Sequence, residues 1–461
     1  MADKKTFAPL KISLPERLLL ASFWWLLWMA FILWVPFLRV WWWVLFPFLL
    51  SIELRKLYLW WLEWDHNYQK NKWILLEVTP PKEVLVPLKA MEDVLTVIWP
   101  SLYAPPNFRE IWAEGVSDDP NFMSFEITGI EGTIHFYIRI ESAMRASVES
   151  AFYAHFPDLE IREVSDYTTQ VPQNVPNEEW DTYGEDFILG REAPYPIKTY
   201  EKFFEPQGEK ISAEEKRIDP IASLLEQLSK LGPGEQYWLQ FLIGSVDAKE
   251  EPHFEEKAKK IIAKVAHFPE KKVLTFWDYT VKTIRDLALG PEKEGDSYEW
   301  KELKATEDST ERELLLTPGE REILTEVETK LKKPIFRTVL RGVYTAKREN
   351  WKGAHKILAR SYFSHFQTQN LNHIRFSVAT RPKTKYFFRK SIPFIRSKRM
   401  FRNYVLRFTP FFPNMERETC VLNTEELTTM FHFPTKITGM ALPMLQKVES
   451  KKGGPPPNLP V

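Results

Sequence analysis

The chain has 461 residues, 62 basic against 62 acidic side chains, and one cysteine, Cys420. A formal net charge of zero points to no partner by itself. The lone cysteine excludes an internal disulfide, argues against a structural zinc site, and fits a body kept in a reducing compartment.

A basic N-tail, residues 1–17, carries Lys4, Lys5, Lys11 and Arg17. Leu18 to Val35 then has no charged residue, and at about 1.5 Å per residue a helix over it would be roughly 27 Å long, near bilayer hydrocarbon thickness. Pro36 and Arg39 interrupt it, and a second apolar piece, Val40–Leu54, contains Pro47 and Glu53. Two readings compete: a helical hairpin, or one crossing followed by a segment lying along the membrane surface. Arg55 and Lys56 follow the apolar region while only Arg39 lies between its two pieces, so the positive-inside rule favours the transmembrane hairpin with both flanks in the cytoplasm. Trp41, Trp42 and Trp43, then Trp60, Trp61 and Trp64, read as membrane-interface residues, since indole rings prefer the headgroup region. The expected anchor is residues 18–64.

From Trp73 the pattern turns globular. Trp73–Thr79 reads as a strand and Leu88–Trp99 as a helix ended by Pro100; Phe122–Thr128 and Thr133–Ile140 are strands around a short glycine turn. Glu141–Phe156 is an amphipathic helix and Leu159–Val164 alternates as a strand. This βαββαβ order predicts a ferredoxin-like domain over residues 72–166. An acidic linker, 167–194, leads to a second, decorated ferredoxin-like domain, 195–440. Its expected parts are a strand at Ile197–Lys202, a helix at Pro220–Leu231 behind Asp219, and a strand at Glu235–Gly244. After a charged insertion, 247–316, come a helix opened by a Thr317–Glu320 capping box, a strand at Ile335–Ala346, a helix at Gly353–Gln367 and a strand at Ile374–Val378. The whole is expected to be α+β, a transmembrane hairpin followed by tandem ferredoxin-like domains. The Pro/Gly-rich tail, 441–461, can bury almost nothing.

The chain contains no Gly-Lys dipeptide, so it has no G-x-x-x-x-G-K-[ST] phosphate loop. No two of the nine histidines stand at i+3 or i+4, and no H-E-x-x-H occurs. No catalytic residue, metal site or cofactor is expected. The basic segment 372–415 is different: eleven Lys/Arg and no Asp or Glu, interleaved with Phe and Tyr. Arg381, Lys383, Lys385, Arg389, Lys390, Arg396, Lys398, Arg399 and Arg402 are its candidate contacts. Nucleic-acid phosphate, anionic lipid and an acidic protein face all answer such a charge; the interleaved rings suit single-stranded nucleic acid, where bases stack on them, and equally a flexible loop lying on the inner leaflet near the anchor.

The pieces EGTIHFYIRI, AFYAHFPDLEIREVSDY, YPIKTYEKF, DPIASLLEQLSKLGPGEQYWLQFLI, LTPGERE, VLNTEELTTMFHFP and SKKGGPPPNLP resemble the membrane-proximal region of a bacterial family. There, this region precedes a HerA/FtsK-like, type IV secretion coupling-protein-like DNA-pumping ATPase domain. The family's ATP-binding residues have no positions here to map onto. The resemblance therefore implies a stand-alone, non-enzymatic, membrane-anchored adaptor of a DNA-translocation or secretion-type machine, at the bacterial inner membrane with its soluble body in the cytoplasm. Its implied partners are the lipid bilayer, a motor ATPase in trans, nucleic acid and further copies of the chain. The rival reading is a membrane-tethered single-stranded nucleic-acid-binding module that acts without a motor.

Overall fold

A computed structural model describes residues 27–61, 68, 71–81, 87–103, 122–203, 219–249, 251, 253–266, 292–294, 297–299, 316–384, 389–408 and 419–434. The chain divides into two compact units, residues 1–70 with 108–117, and residues 71–107 with 118–461.

In the first unit, residues 27–34, Pro36–Val40 and Trp42–Trp61 are helical. The expected transmembrane hairpin is overturned: among the described residues, no helix is long and apolar enough to cross a membrane. The reasons are local. Of the first expected span, residues 27–34 are the described helical part, and the run ends at Val35 because Pro36 disfavours the α conformation of the residue before it. The twenty-residue helix Trp42–Trp61 is long enough, but it carries Glu53, Arg55 and Lys56 and has Pro47 inside it. The first half of the expected span, 18–26, lies outside the described residues, as do the N-tail, most of the insertion and the tail.

The second unit is built on one nine-stranded sheet. Its strands are β1 (Trp73–Thr79), β2 (Phe122–Ile130), β3 (Thr133–Glu141), β4 (Glu160–Val164), β5 (Trp180–Leu189) and β6 (Glu235–Val246). Glu292–Glu294 and Ser297–Glu299 form a separate two-stranded sheet, β7–β8. Then come β9 (Ile335–Lys347), β10 (Ile374–Phe376) and β11 (Cys420–Asn423). The order is β10-β5-β9-β6-β2-β3-β1-β4, with β11 on β9, and every pairing is antiparallel. Each half therefore repeats one pattern, fourth–first–third–second, which is the order two split βαβ units produce. The halves are not separate domains joined by a linker. They share a seam, β2 against β6, that runs from Phe122↔Gly244 to Ile130↔Gln236. The strand that opens the second half is β5, inside the stretch read as an acidic linker, and Ile197–Lys202 forms no strand.

Strand alternation sends one set of side chains to each face. On one face, Phe125, Ile127, Leu239, Phe241, Leu340 and Tyr344 meet the helices α1 (Lys89–Leu102), α2 (Arg145–His155), α3 (Ala222–Ser229) and α6 (Leu358–Ser364). Helices α4 (Phe254–Val265) and α5 (Pro318–Lys332) pack on each other beside them. On the other face Tyr137, Trp238 and Val343 are covered by Tyr167, Val171 and Val175 and by Phe401 and Tyr404 of α7 (Ser391–Val405). Both faces being covered, ten consecutive residues of the central strand β6 are buried.

The last element, α8 (Thr424–Met430), is buried at every position. Its polar groups are answered internally. Asn423 and Glu426 form a capping box, Glu426 also meets the Lys330 ammonium at 2.9 Å, and Lys333 bridges Glu92 and Glu425 at 2.7 and 2.8 Å. Burial raises the Glu426 carboxyl above its ordinary range, and the nearby Lys330 charge only partly offsets it. The VLNTEELTTM run is thus core architecture.

Candidate functional site

The basic segment crosses the sheet face opposite the main helices, and α7 is its organising element. Ser397, Met400, Phe401 and Tyr404 recur at helical spacing and point into the molecule; Ser391, Phe394, Ile395, Lys398 and Arg399 recur at the same spacing and are exposed. The buried side needs close approach. A Cβ on Gly184 of β5 would stand 3.0 Å from the Met400 Cβ and 3.1 Å from a Val343 methyl, so glycine lets the helix lie flat.

What pins α7 in register is charge. It ends in a Schellman motif, Arg407 N–H donating to Tyr404 O at 3.0 Å and Phe408 N–H to Asn403 O at 2.9 Å. The left-handed position, usually glycine, is Arg407 at φ 48°. A non-glycine residue there costs about 1–2 kcal/mol. The side chain explains its presence: the buried guanidinium donates to both Glu126 oxygens, Nε at 3.0 Å and Nη2 at 3.1 Å, and also to Asp166. Glu126, at the middle of the β2–β6 seam, accepts further bonds from Tyr167 Oη at 2.7 Å and Gln240 Nε2 at 2.9 Å. Burial alone would raise the Glu126 carboxyl; the Arg407 charge and hydrogen bonds outweigh it and hold the group below its ordinary range. Asp166 is lowered by the same balance. Beside this cluster Arg341 bonds Asp186 at 2.8 Å and the Asn403 carbonyl at 3.0 Å, fixing the end of α7 to β9.

The sequence-derived candidates divide accordingly. Lys383, Arg389, Lys390, Lys398 and Arg399 are exposed. Arg396 is half-buried and donates to the Arg381 carbonyl at 2.9 Å, stapling the loop before the helix. Arg381 is half-buried too: its Nε donates to Tyr183 Oη at 3.2 Å and its guanidinium lies 4.8 Å from the Phe376 ring centre. Arg402 is half-buried on the flank of α7. Lys385 lies outside the described residues. Of the tryptophans, Trp41, Trp42, Trp43 and Trp61 are exposed in the first unit, whereas the Trp60 side chain and Trp64 lie outside the described residues.

Reasoning from the segment alone misses its neighbours. Tyr183 on β5 and Arg360 on α6 meet the Arg381 loop from distant parts of the chain, Arg360 donating to Tyr183 Oη at 2.9 Å and to Glu185 at 2.7 Å. No run of basic residues flags either one. Cys420 is buried and its thiol is pushed up to about 12, chiefly by burial, so it is no nucleophile. Among the described residues no group of three or more His, Cys, Asp or Glu is placed to hold a metal ion. The exposed stripe offers cations and apolar side chains together: it suits a ligand with phosphates and flat faces. No protein-family model matches the chain, and no curated protein matches it.

Proposed function

We propose that the chain is a non-enzymatic scaffold of a DNA-translocation assembly, that it holds single-stranded nucleic acid along the outer face of α7, and that it works with a motor ATPase. The observation that carries the nucleic-acid contact is the sorting within α7. Arg407 is spent inside on Glu126 and Asp166, while Lys398 and Arg399 stand outside beside Phe394 and Ile395. Exposed cations meet phosphates, and an exposed ring and an isoleucine between them give bases an apolar surface to rest on. The motor partner rests on the sequence resemblance.

The test is titration of the full chain with fluorescent (dT)20 at several salt concentrations. Phosphate contacts at Lys390, Lys398 and Arg399 predict a log–log salt slope of about −2. Lys390→Glu with Lys398→Glu and Arg399→Glu removes the binding; survival of binding in that variant overturns the assignment. The motor partner is tested by affinity capture from the native cell under mild conditions, and recovery of the chain without an ATPase counts against it.

A bilayer surface is the second reading, favoured by the exposed Trp34, Phe37, Trp41 and Trp43 of the first unit. It requires no spanning helix. Flotation with neutral vesicles, abolished by replacing these four rings with Ser, would support it independently of the basic segment.

A further inference from the structure

Outside α7 the structure holds a second set of cations and rings, contributed by segments far apart in sequence. Lys356 Nζ lies 4.8 Å from the Trp351 ring centre and 5.5 Å from that of Tyr183. The Arg360 and Arg381 guanidinium groups lie 4.2 and 4.8 Å from the Phe376 ring centre, and both donate to Tyr183 Oη. The cluster gathers at the β5/β10 edge of the sheet, where β10 pairs with Ile188 and its neighbours. It is joined to α7 without a gap, because Arg396 of that helix holds the Arg381 carbonyl.

Charge there is not self-cancelling. Among the described residues, Lys356, Arg360 and Arg381 face one carboxylate in direct contact, Glu185, which Arg360 takes; the next, Glu235, pairs with Lys352 at 3.0 Å. Trp351, Lys356, Arg360 and Arg381 are half-buried rather than closed off, and Lys352 and Ile357 beside them are exposed. The rings hold the cations in place: Trp351 packs against Tyr344 at 4.7 Å and carries Lys356, and Phe376 carries both guanidinium groups, so a strand meets cations that are already ordered.

We infer that this cluster is the second contact of one continuous single-strand track, which begins on the outer face of α7 and turns around the β5/β10 edge to Trp351 and Lys356. The inference rests on the nucleic-acid reading of α7 and extends it. The exposed stripe of α7, Ser391 to Arg399, is about 12 Å long by helical rise, which is too short for more than a few nucleotides. The edge cluster lets a longer strand continue onto further cations, held in place by Trp351 and Phe376. Single-strand sites of one domain run from about 4 to 16 nucleotides.

The experiment compares (dT)6 with (dT)20 on the full chain, in wild type, Lys356→Glu and the triple α7 variant. Wild type should prefer (dT)20 by more than the statistical gain from extra registers. Lys356→Glu should lose about tenfold in affinity for (dT)20 and leave (dT)6 unchanged. Equal affinities of wild type and Lys356→Glu for (dT)20, or an equal loss at both lengths, overturns the track while leaving the α7 site in place. Absence of oligonucleotide binding by wild type, with retention on anionic vesicles instead, overturns both. Thermal unfolding checks that Lys356→Glu is folded; if it is not, Lys356→Gln is read by the same criteria.

Discussion

Two short helices, α7 and α8, are both written in polar and charged residues, and the fold treats them oppositely. α8 lies between layers with protein on every side, so Glu425 and Glu426 each require a lysine, and nothing of its charge reaches solvent. α7 lies over the second face of the sheet, and among the described residues protein covers one side of it only. Its helical phase turns Met400, Phe401 and Tyr404 inward and leaves Lys398 and Arg399 outside. The number of charges in a window therefore says little about their availability. What decides is how many sides of the element are covered, and that is a property of the sheet beneath it.

The largest effect expected from breaking this comparison comes at Arg407, the cation of the basic segment that is buried and paired as the carboxylates of α8 are. Arg407→Met leaves Glu126 buried beside Asp166 without a counter-charge and should cost about 3–5 kcal/mol in chemical denaturation at pH 7. The pH dependence has a definite sign. Glu126 and Asp166 are held below their ordinary values in the folded protein, so their contribution is complete above about pH 4.5 and is lost as pH falls through their folded values. In Arg407→Met the buried Glu126 favours its neutral form, so acid relieves the variant while it weakens the wild type. The gap between the two should shrink from pH 7 to pH 4. A gap that stays constant would mean that Arg407 acts by packing and not by charge.

A smaller loss is expected at Gly184. Gly184→Ala places a methyl 3.0 Å from the Met400 Cβ, an atom close to the helix backbone, so relief requires α7 itself to shift. Overpacking of this kind costs about 1–3 kcal/mol. Because the shift moves the exposed stripe with the buried one, oligonucleotide affinity should fall alongside stability in the same titration.

Legibility followed the same physics. Local signals were readable: the Thr317–Glu320 capping box is present, with Thr317 Oγ1 accepting from the Glu320 amide at 3.3 Å, because a cap is decided within one turn. Strand β5 was not readable. WDTYGEDFIL carries three carboxylates and a glycine, which suggest a loop; it is a strand because Arg341 neutralises Asp186 on one face, Arg360 neutralises Glu185 on the other, and the glycine admits α7. Those partners are more than 150 residues away in sequence. The N-terminal apolar run shows the reverse failure: its hydropathy is plain, but the helical run ends at Pro36 and the twenty-residue helix after it carries Glu53, Arg55 and Lys56, so among the described residues no helix is both long and apolar enough to span. At the site, composition located the cationic segment, and only the packing of α7 separated Lys398 and Arg399 from Arg381 and Arg396, whose hydrogen bonds hold the loop.

The smallest stability effect should accompany the largest loss of function. Among the described residues, Lys398 and Arg399 take part in no hydrogen bond or ion pair, and they stand on the solvent side of α7. Lys398→Glu with Arg399→Glu should therefore change unfolding free energy by no more than about 0.5 kcal/mol. The same pair should weaken (dT)20 binding by at least tenfold and flatten its salt slope by about 1.4, two contacts at roughly 0.7 each. Arg407→Met is the converse case. At a temperature where it remains folded it removes no exposed cation, so its salt slope should match wild type even if its affinity falls. A charge-reversal pair that destabilises the fold as much as Arg407→Met does would show that the outer stripe is structural, and the division of α7 into a bonded side and a free side would be lost.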